Sequence, residues 1–294
     1  MPGSGHAHRR DAFLRACRLD VQVRKPGNVS IASPGHGMDA ALFLASAEAS
    51  VGPLCAAGVP VGRRIEAAMR ATLAVARCNT NLGILLLCAP LALAHERAGV
   101  ACDRDTLRAS LRQVLSGLDL DDAAAAFRAI AVANPGGLGS APEQDVSRTP
   151  SVTLLDAMAL AAHRDRIAWQ YVQAHDDIFS LALPAFDAGR AGRGPDDTGP
   201  AMQRAYLEIL ASIPDSHIVR KHGEALAQCV MREARPWCDS ACAGVDLDAN
   251  PAFAAWDESL KLRRINPGTS ADLCVATAFT TFLCDASHAA RGLP

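Results

Sequence analysis

Polar and charged residues that could bind a ligand are concentrated in a few short segments of the sequence, beside glycines or helix starts. The first segment is Lys25-Pro26-Gly27-Asn28, where proline followed by glycine predicts a tight turn with backbone N–H groups beside a lysine. Such a turn can hold a phosphate group. The alternative is that these residues only end a helix and leave the lysine in solvent.

His36 and Asp39 belong to a second glycine-containing loop, which leads into an alanine-rich helix. Asp39 is placed to cap the start of that helix. A carboxylate close to a histidine could also bind a metal ion or a substrate. The sequence leaves both interpretations of this loop open.

Asn79, Thr80 and Asn81 immediately precede the most apolar run of the chain, Leu82–Ala94. A buried polar group without a partner costs on the order of 1–3 kcal/mol. These side chains therefore need either hydrogen bonds within the protein or a ligand. Capping of the following helix accounts for one asparagine and leaves the other unexplained.

Two segments near the C-terminus place a carboxylate at a predicted helix start. In the first, Asp215 is followed by Arg220 and Lys221, a set that could bind a phosphate and its counter-ion. The alternative is that Asp215 only caps the helix, although basic residues in a first turn would oppose the helix dipole. In the second segment, Asn266 lies in a Pro-Gly turn and Asp272 follows it.

Asp176 and Asp177 are the remaining candidate ligands. The sequence predicts one helix from Val152 to about Leu183, on which Asp165 and Asp176 lie three turns apart on nearly the same face. Paired carboxylates that face a pocket suit Mg²⁺, which also keeps water and phosphate oxygens as ligands. Salt bridges to the arginines at positions 164 and 166 would explain the same residues.

The elements that must position these residues are helices. Half of the 294 residues are apolar and only 4% are aromatic, which favours close helix packing over sheets. We expect an all-α fold, a single bundle-like domain over residues 1–294 with a central pocket lined by loops and helix N-termini. Residues 187–200 should form an exposed loop. The glycines of segment 134–139 permit close approach to a ligand, although a plain helix stop would look the same.

Charge, hydropathy and cysteine usage argue against several classes of protein. The net charge of −2 gives no basic surface for nucleic acid. The apolar run of about 13 residues contains Pro90 and is too short for a membrane span. No signal peptide is evident, and the ten cysteines form no C-x-x-C pair, so we expect a cytoplasmic protein with reduced thiols. Zinc at Cys238 and Cys242 is a minor alternative, because no second pair matches them.

Taken together, the segments resemble the triphosphoribosyl-dephospho-CoA synthase family in kind and order. The resemblance extends from Lys25 to Leu283 and rests on five motifs. They are Lys25-Pro-Gly-Asn, His36-Gly-Met-Asp39, Asn79-Thr-Asn-x-Gly83, Asp215-Ser-x-x-x-Arg220-Lys-x-Gly223 and Asn266-Pro-Gly-x-Ser-Ala-Asp272-Leu.

The resemblance implies an all-helical, ATP-dependent enzyme in which the 2′-hydroxyl of 3′-dephospho-CoA displaces adenine from ATP. It implies that substrates contact Lys25, Asn28, His36, Asn79, Asn81, Arg220, Lys221 and Asn266. It implies that Mg²⁺ is held by Asp39, Asp176 and Asp177. Asp215 or Asp272 would stabilise the oxocarbenium-like centre or accept the hydroxyl proton. Formation of a homodimer is left open.

The chain also departs from the pattern of the citrate lyase pathway members. Asn81-Leu82 stands where those members carry His-Lys, and the middle of the chain has Pro135-Gly-Gly-Leu-Gly in place of an Arg-Gly-Glu-Ala segment. This form resembles a branch of archaea and methylotrophic bacteria. The alternatives are therefore a related ATP-using step in the synthesis of methanopterin- or methanofuran-type one-carbon carriers, and a catalytically inactive helical binding protein.

Overall fold

The computed structural model describes residues 2–135, 143–194 and 197–291, with side chains from residue 5 to residue 285 within these ranges. No β-strand occurs in the part of the chain so described. The prediction of an all-α fold is confirmed. None of the described helices is both long enough and apolar enough to cross a lipid bilayer. The predicted ligand approach at glycines 136, 137 and 139 lies outside the described residues.

Fourteen α-helices and one π-helical segment make up the described chain. The helices of the first half are α1 (Pro2–Gln22), α2 (Ala40–Cys55), α3 (Val61–Ala76), α4 (Leu82–Ala98), α5 (Arg104–Ser116), α6 (Leu120–Ala133), α7 (Leu154–Ala161) and α8 (Arg166–Val172). After the π-helical segment (Asp177–Ala182) come α9 (Leu183–Arg190), α10 (Gly199–Ser212), α11 (Ser216–His222), α12 (Glu224–Cys242), α13 (Pro251–Leu262) and α14 (Gly268–Arg291).

The chain divides into two compact units. Unit 1 consists of residues 1–16, 45–175 and 279–294, and unit 2 consists of residues 17–44 and 176–278. Helices α1, α2 and α14 contribute residues to both units. The single domain expected over residues 1–294 stays a prediction.

Unit 1 is built around α4, whose residues from Leu82 to Leu91 are all buried. Helix α4 packs against α3 and α5, and α3 packs against α6. Aspartates precede several of these helices as N-cap residues, a position that aspartate favours. Asp103 caps α5, and Asp119 forms a capping box with Asp122 at the start of α6.

Unit 2 is organised around α10, which packs against α9 and α12. Tyr206 of α10 is fully buried, and its hydroxyl donates a hydrogen bond to the Pro26 carbonyl at 2.6 Å. This bond attaches the loop after α1 to the centre of the unit. The phenol is held in its neutral form because burial raises the pKa of Tyr206 well above its usual value.

The prediction of one long helix from Val152 to Leu183 is wrong. That helix is replaced by α7, α8, the π-helical segment and α9, with Asp165 capping α8. The chain turns at Ala174 and His175, whose φ angles are 48° and 56°. Neither residue is a glycine, so the local sequence does not predict the break in the helix. Helix α9 also extends to Arg190 and α10 begins at Gly199, so the loop expected over residues 187–200 is shorter than predicted.

Candidate active site

The loop of residues 25–28 lies against the turn before α14 in unit 2. Gly27 has φ of +85°, and a Cβ atom there would be 2.7 Å from Cδ of Pro267 and 2.9 Å from the Ile265 carbonyl oxygen. Only glycine fits such a position. Asn28 donates from Nδ2 to Oδ1 of Asn266 at 2.6 Å. Two residues that were predicted separately from the sequence therefore contact each other.

A buried ion pair on α13 holds this loop in place. Asp257 is fully buried; its Oδ1 accepts a hydrogen bond from the Gly27 amide at 2.8 Å, and its Oδ2 accepts one from Nζ of Lys261 at 2.9 Å. Lys261 also donates to the Ser33 carbonyl at 3.2 Å. The pair thus fastens both the loop of residues 25–28 and the following loop to one helix.

Lys25 is buried within the protein. Its ammonium group forms an ion pair with Asp20 at 3.1 Å and donates to the backbone carbonyl of the same residue. Burial raises the pKa of the Asp20 carboxyl, and the nearby Lys25 charge offsets part of that rise. Lys25, which the sequence suggests as a phosphate ligand, is therefore paired with a buried carboxylate in this structure.

His36 connects the second loop to the first. Its Nε2 lies 2.8 Å from the Gly27 carbonyl oxygen, so Nε2 carries the hydrogen of the neutral ring and donates it. Burial lowers the pKa of His36, and the positive charges of Lys221 and Lys261 lower it further, whereas the bond to Gly27 and the Asp257 carboxylate oppose this shift. The lowered pKa favours the neutral imidazole.

Asp215 caps α11 and also binds the start of α14. Its Oδ1 accepts hydrogen bonds from the amides of His217 at 2.9 Å and Ile218 at 3.0 Å. Its Oδ2 accepts two more from Ser270, from the amide at 2.7 Å and from the hydroxyl at 2.8 Å. Burial raises the pKa of Asp215, and these four donors oppose the rise. Both carboxylate oxygens are therefore engaged in joining two helix N-termini.

The basic residues of α11 lie in its last turn, so the expectation that they occupy a first turn is wrong. Arg220 and Lys221 complement the helix dipole there. His217, one turn earlier, packs against Gly268 at the start of α14. Burial and the charges of Lys221 and Arg220 lower the pKa of His217 to about 3.

All three lysines of the chain belong to this region of unit 2, although the sequence contains 26 arginines. Lys25 begins the first loop, Lys261 holds that loop through Asp257, and Lys221 lies within electrostatic reach of His36. The sequence motifs do not predict a role for Asp257, Lys261 or His217. The scarcity of lysine was a signal that could have identified Lys261.

The other predicted carboxylates of unit 2 occupy different surroundings. Asp39 is exposed and accepts a hydrogen bond from the Leu42 amide at the start of α2, as a capping residue does. Asp176 accepts one from the Ser180 hydroxyl at 2.7 Å. Asp177 is buried, whereas Asp272 on α14 is half-buried. Among the described residues, Asp39, Asp176 and Asp177 do not form one ready-made set of metal ligands.

Asn79 and Asn81 belong to unit 1, where their side chains are bonded within the protein. Asn79 accepts a hydrogen bond at 3.1 Å from the amide of Leu82, the first residue of α4. Asn81 is buried; its Oδ1 accepts from the Thr72 hydroxyl at 3.0 Å, and its Nδ2 donates to the Ser50 hydroxyl at 3.4 Å. These bonds join α2, α3 and the start of α4. The sequence left open whether these polar side chains bind a ligand or bond within the protein, and the structure shows hydrogen bonds within the protein.

Comparison with known protein families identifies one family. A family model described as ATP:dephospho-CoA triphosphoribosyl transferase matches residues 6–290. The fold is similar to a crystal structure from Archaeoglobus fulgidus that carries the name triphosphoribosyl-dephospho-CoA synthase, with a TM-score of 0.62 and 21% identity. That similarity covers 83% of this chain and 98% of the other, and it concerns the fold alone. No protein of curated function matches the chain significantly. Because the family match covers nearly the whole sequence, the chain belongs to the ATP:dephospho-CoA triphosphoribosyl transferase family, whose members are transferases.

Proposed function

We propose that this protein transfers the triphosphoribosyl group of ATP to the 2′-hydroxyl of 3′-dephospho-CoA. In this reaction the bond between the ribose C1′ and the adenine N9 breaks, and a new bond forms between C1′ and the 2′-oxygen of the acceptor. The acceptor hydroxyl loses its proton, and adenine leaves after taking up a proton at its ring. The triphosphate stays on the transferred ribose throughout.

The observation that carries the proposal is the group of cationic and imidazole side chains around the loop of residues 25–28. The positive charges of Lys221 and Lys261 act on His36, and those of Lys221 and Arg220 act on His217. These side chains converge from α11, α13 and a loop that are far apart in sequence. A concentration of positive charge of this kind suits a triphosphate, whose oxygens accept charge-assisted hydrogen bonds.

We assign two roles within this group. Arg220, Lys221 and the two imidazoles bind the phosphates directly. Both histidines have lowered pKa values in the free protein, and the negative charge of a bound triphosphate would raise them. Lys25 has an indirect role: its ion pair with Asp20 fixes the loop that carries Asn28.

The carboxylates divide in a similar way. The two carboxylate oxygens of Asp215 already accept four hydrogen bonds from the protein. We therefore assign Asp215 the role of positioning α11 against α14. Asp272 is the candidate to accept the hydroxyl proton. Mg²⁺, when bound with ATP, would neutralise phosphate charge, and the phosphate oxygens would supply ligands that Asp39, Asp176 and Asp177 do not supply as a set.

The test is release of adenine from ATP and Mg²⁺ by the purified protein, followed by chromatography. We expect release only when 3′-dephospho-CoA is present. Asp272→Asn should lower kcat with little change in KM for ATP, whereas Lys221→Ala and Arg220→Ala should each raise that KM by about 10-fold, the effect of losing one charge-assisted contact. Arg193→Ala is the matched control, since it removes an exposed arginine that pairs with Asp197 at the surface.

A second measurement uses the scarcity of lysine. An amine-modifying reagent should label exposed Lys221 much faster than buried Lys25 and Lys261, and ATP should protect Lys221. Binding of ATP without release of adenine in the presence of 3′-dephospho-CoA would contradict the proposed acceptor. Absence of ATP binding would contradict the proposed function as a whole.

A further inference from the structure

A second cluster of reactive side chains lies between α10 and α12 of unit 2. It consists of Glu208 on α10 and of Cys238 and Cys242, which are four residues apart on α12. The Cys238 thiol lies 3.3 Å from Oε2 of Glu208, and one ligand atom from each of the three residues lies within 4.8 Å of the others. Within the described ranges, no other three or more His, Cys, Asp or Glu side chains approach so closely.

The spacing of this cluster is close to that of a tetrahedral metal site. Zinc–sulfur bonds of about 2.3 Å place two coordinating sulfurs about 3.8 Å apart, so small side-chain rotations would bring the three ligand atoms onto one ion. Residues four apart on a helix face the same direction, which directs both thiols toward Glu208. Cys238 is buried and Cys242 is exposed, so the cluster has an inner ligand and a route for an ion to enter.

We propose that Glu208, Cys238 and Cys242 form a binding site for Zn²⁺, with water in the fourth position. Two thiolates and one carboxylate match the ligands that zinc prefers, whereas Mg²⁺ selects oxygen ligands only. The site is therefore chemically distinct from the one that serves ATP, and it does not depend on the function proposed above.

Occupation of the site would fasten α12 to α10. These two helices pack against each other, and α10 also carries Tyr206, whose hydroxyl donates to the Pro26 carbonyl in the loop of residues 25–28. Burial and the neighbouring Glu208 carboxylate raise the pKa of the Cys238 thiol, so the metal-free site holds a proton that binding must release. Zinc would replace that proton with a bond between the two helices.

The test measures Zn²⁺ binding to the reduced full-length protein by competition with a chromophoric chelator. We expect one equivalent of tightly bound Zn²⁺ that a large excess of Mg²⁺ does not displace. Cys238→Ser and Cys242→Ser should each weaken binding by more than the roughly 10- to 100-fold that loss of an outer-shell contact costs. Cobalt should give a sulfur-to-metal charge-transfer band in the wild type, and each serine variant should lose intensity in that band.

Cys229→Ser is the matched control. Cys229 lies on the same helix and is 3.7 Å from the carboxylate of Glu233, but no third ligand among the described residues joins that pair. Its replacement should leave zinc affinity and the cobalt band unchanged. Circular dichroism establishes that each variant is folded. Absence of a tight equivalent, or binding that Cys238→Ser and Cys242→Ser leave unchanged, would overturn the proposal.

Discussion

The ion pair between Asp257 and Lys261 permits a quantitative test of how the candidate site is held together. Asp257→Asn keeps an oxygen that can accept the Gly27 amide but removes the negative charge. Lys261 is then left as a buried ammonium whose remaining bond is to the Ser33 carbonyl. Breaking one side of a buried pair costs about 3–5 kcal/mol, so we expect a loss of that size in the free energy of unfolding.

The informative comparison is with the double variant. Lys261→Met alone should also cost about 3–5 kcal/mol, because it leaves the Asp257 carboxylate buried with Arg24 no closer than 3.9 Å. Asp257→Asn combined with Lys261→Met leaves no uncompensated charge, so it should cost less than either single change.

Urea unfolding at neutral pH, followed by circular dichroism, measures all four proteins of this cycle. A double variant as destabilised as the sum of the two single variants would refute the reasoning. It would mean that the two charges act independently and that the pair does not hold the loops. A cost below about 1 kcal/mol for Asp257→Asn would refute the claim that the pair is effectively buried.

Three further predictions test other parts of the structure. Gly27→Ala should destabilise the protein by more than about 1 kcal/mol and abolish adenine release, because the new Cβ atom would clash with its neighbours. Gly58→Ala is the control: Gly58 also has a positive φ but lies in open space, so this change should cost only the backbone strain and leave activity intact. Asn81→Ala should cost about 1–3 kcal/mol in urea unfolding because two hydroxyls lose their partner; an unchanged midpoint would contradict this. His175 is fully buried, and its pKa is lowered from 6.5 to about 3, so its stabilising effect is complete above pH 6.5 and is lost as the pH falls toward 3. The difference in unfolding free energy between the wild type and His175→Asn, which tolerates the left-handed backbone, should therefore shrink by about 2 kcal/mol between pH 7 and pH 5; parallel pH profiles would count against it.

Helix periodicity and capping were readable from the sequence because both depend on residues close together in the chain. Asp103, Asp119 and Asp215 begin helices as N-cap residues should. The start of α4 after Asn81 follows from the change between polar and apolar residues. The break at His175 was not readable, because tertiary packing there imposes a left-handed backbone on a residue that does not favour it.

The candidate site was readable only in part for a related reason. The motifs that contain Asn28 and Asn266 are evident in the sequence, but the contact between them joins residues 238 positions apart. Asp257 lies in no glycine-containing motif, and its role depends on a bond to Gly27, 230 residues away. The position of Arg220 in the last turn of α11 depended on the length of a seven-residue helix, which capping signals alone do not determine.

The carboxylate of Asp215 also has a consequence for the order in which the protein is made. Helix α11 has seven residues, which is too short to be stable alone in water. Its capping residue, Asp215, accepts two hydrogen bonds from Ser270, and the loop that carries Asn28 depends on Asp257 and Asn266. A nascent chain that ends before residue 270 therefore has Arg220 and Lys221 on a segment without its anchor. We infer that the candidate site is completed late in synthesis, when the residues that begin α14 leave the ribosome.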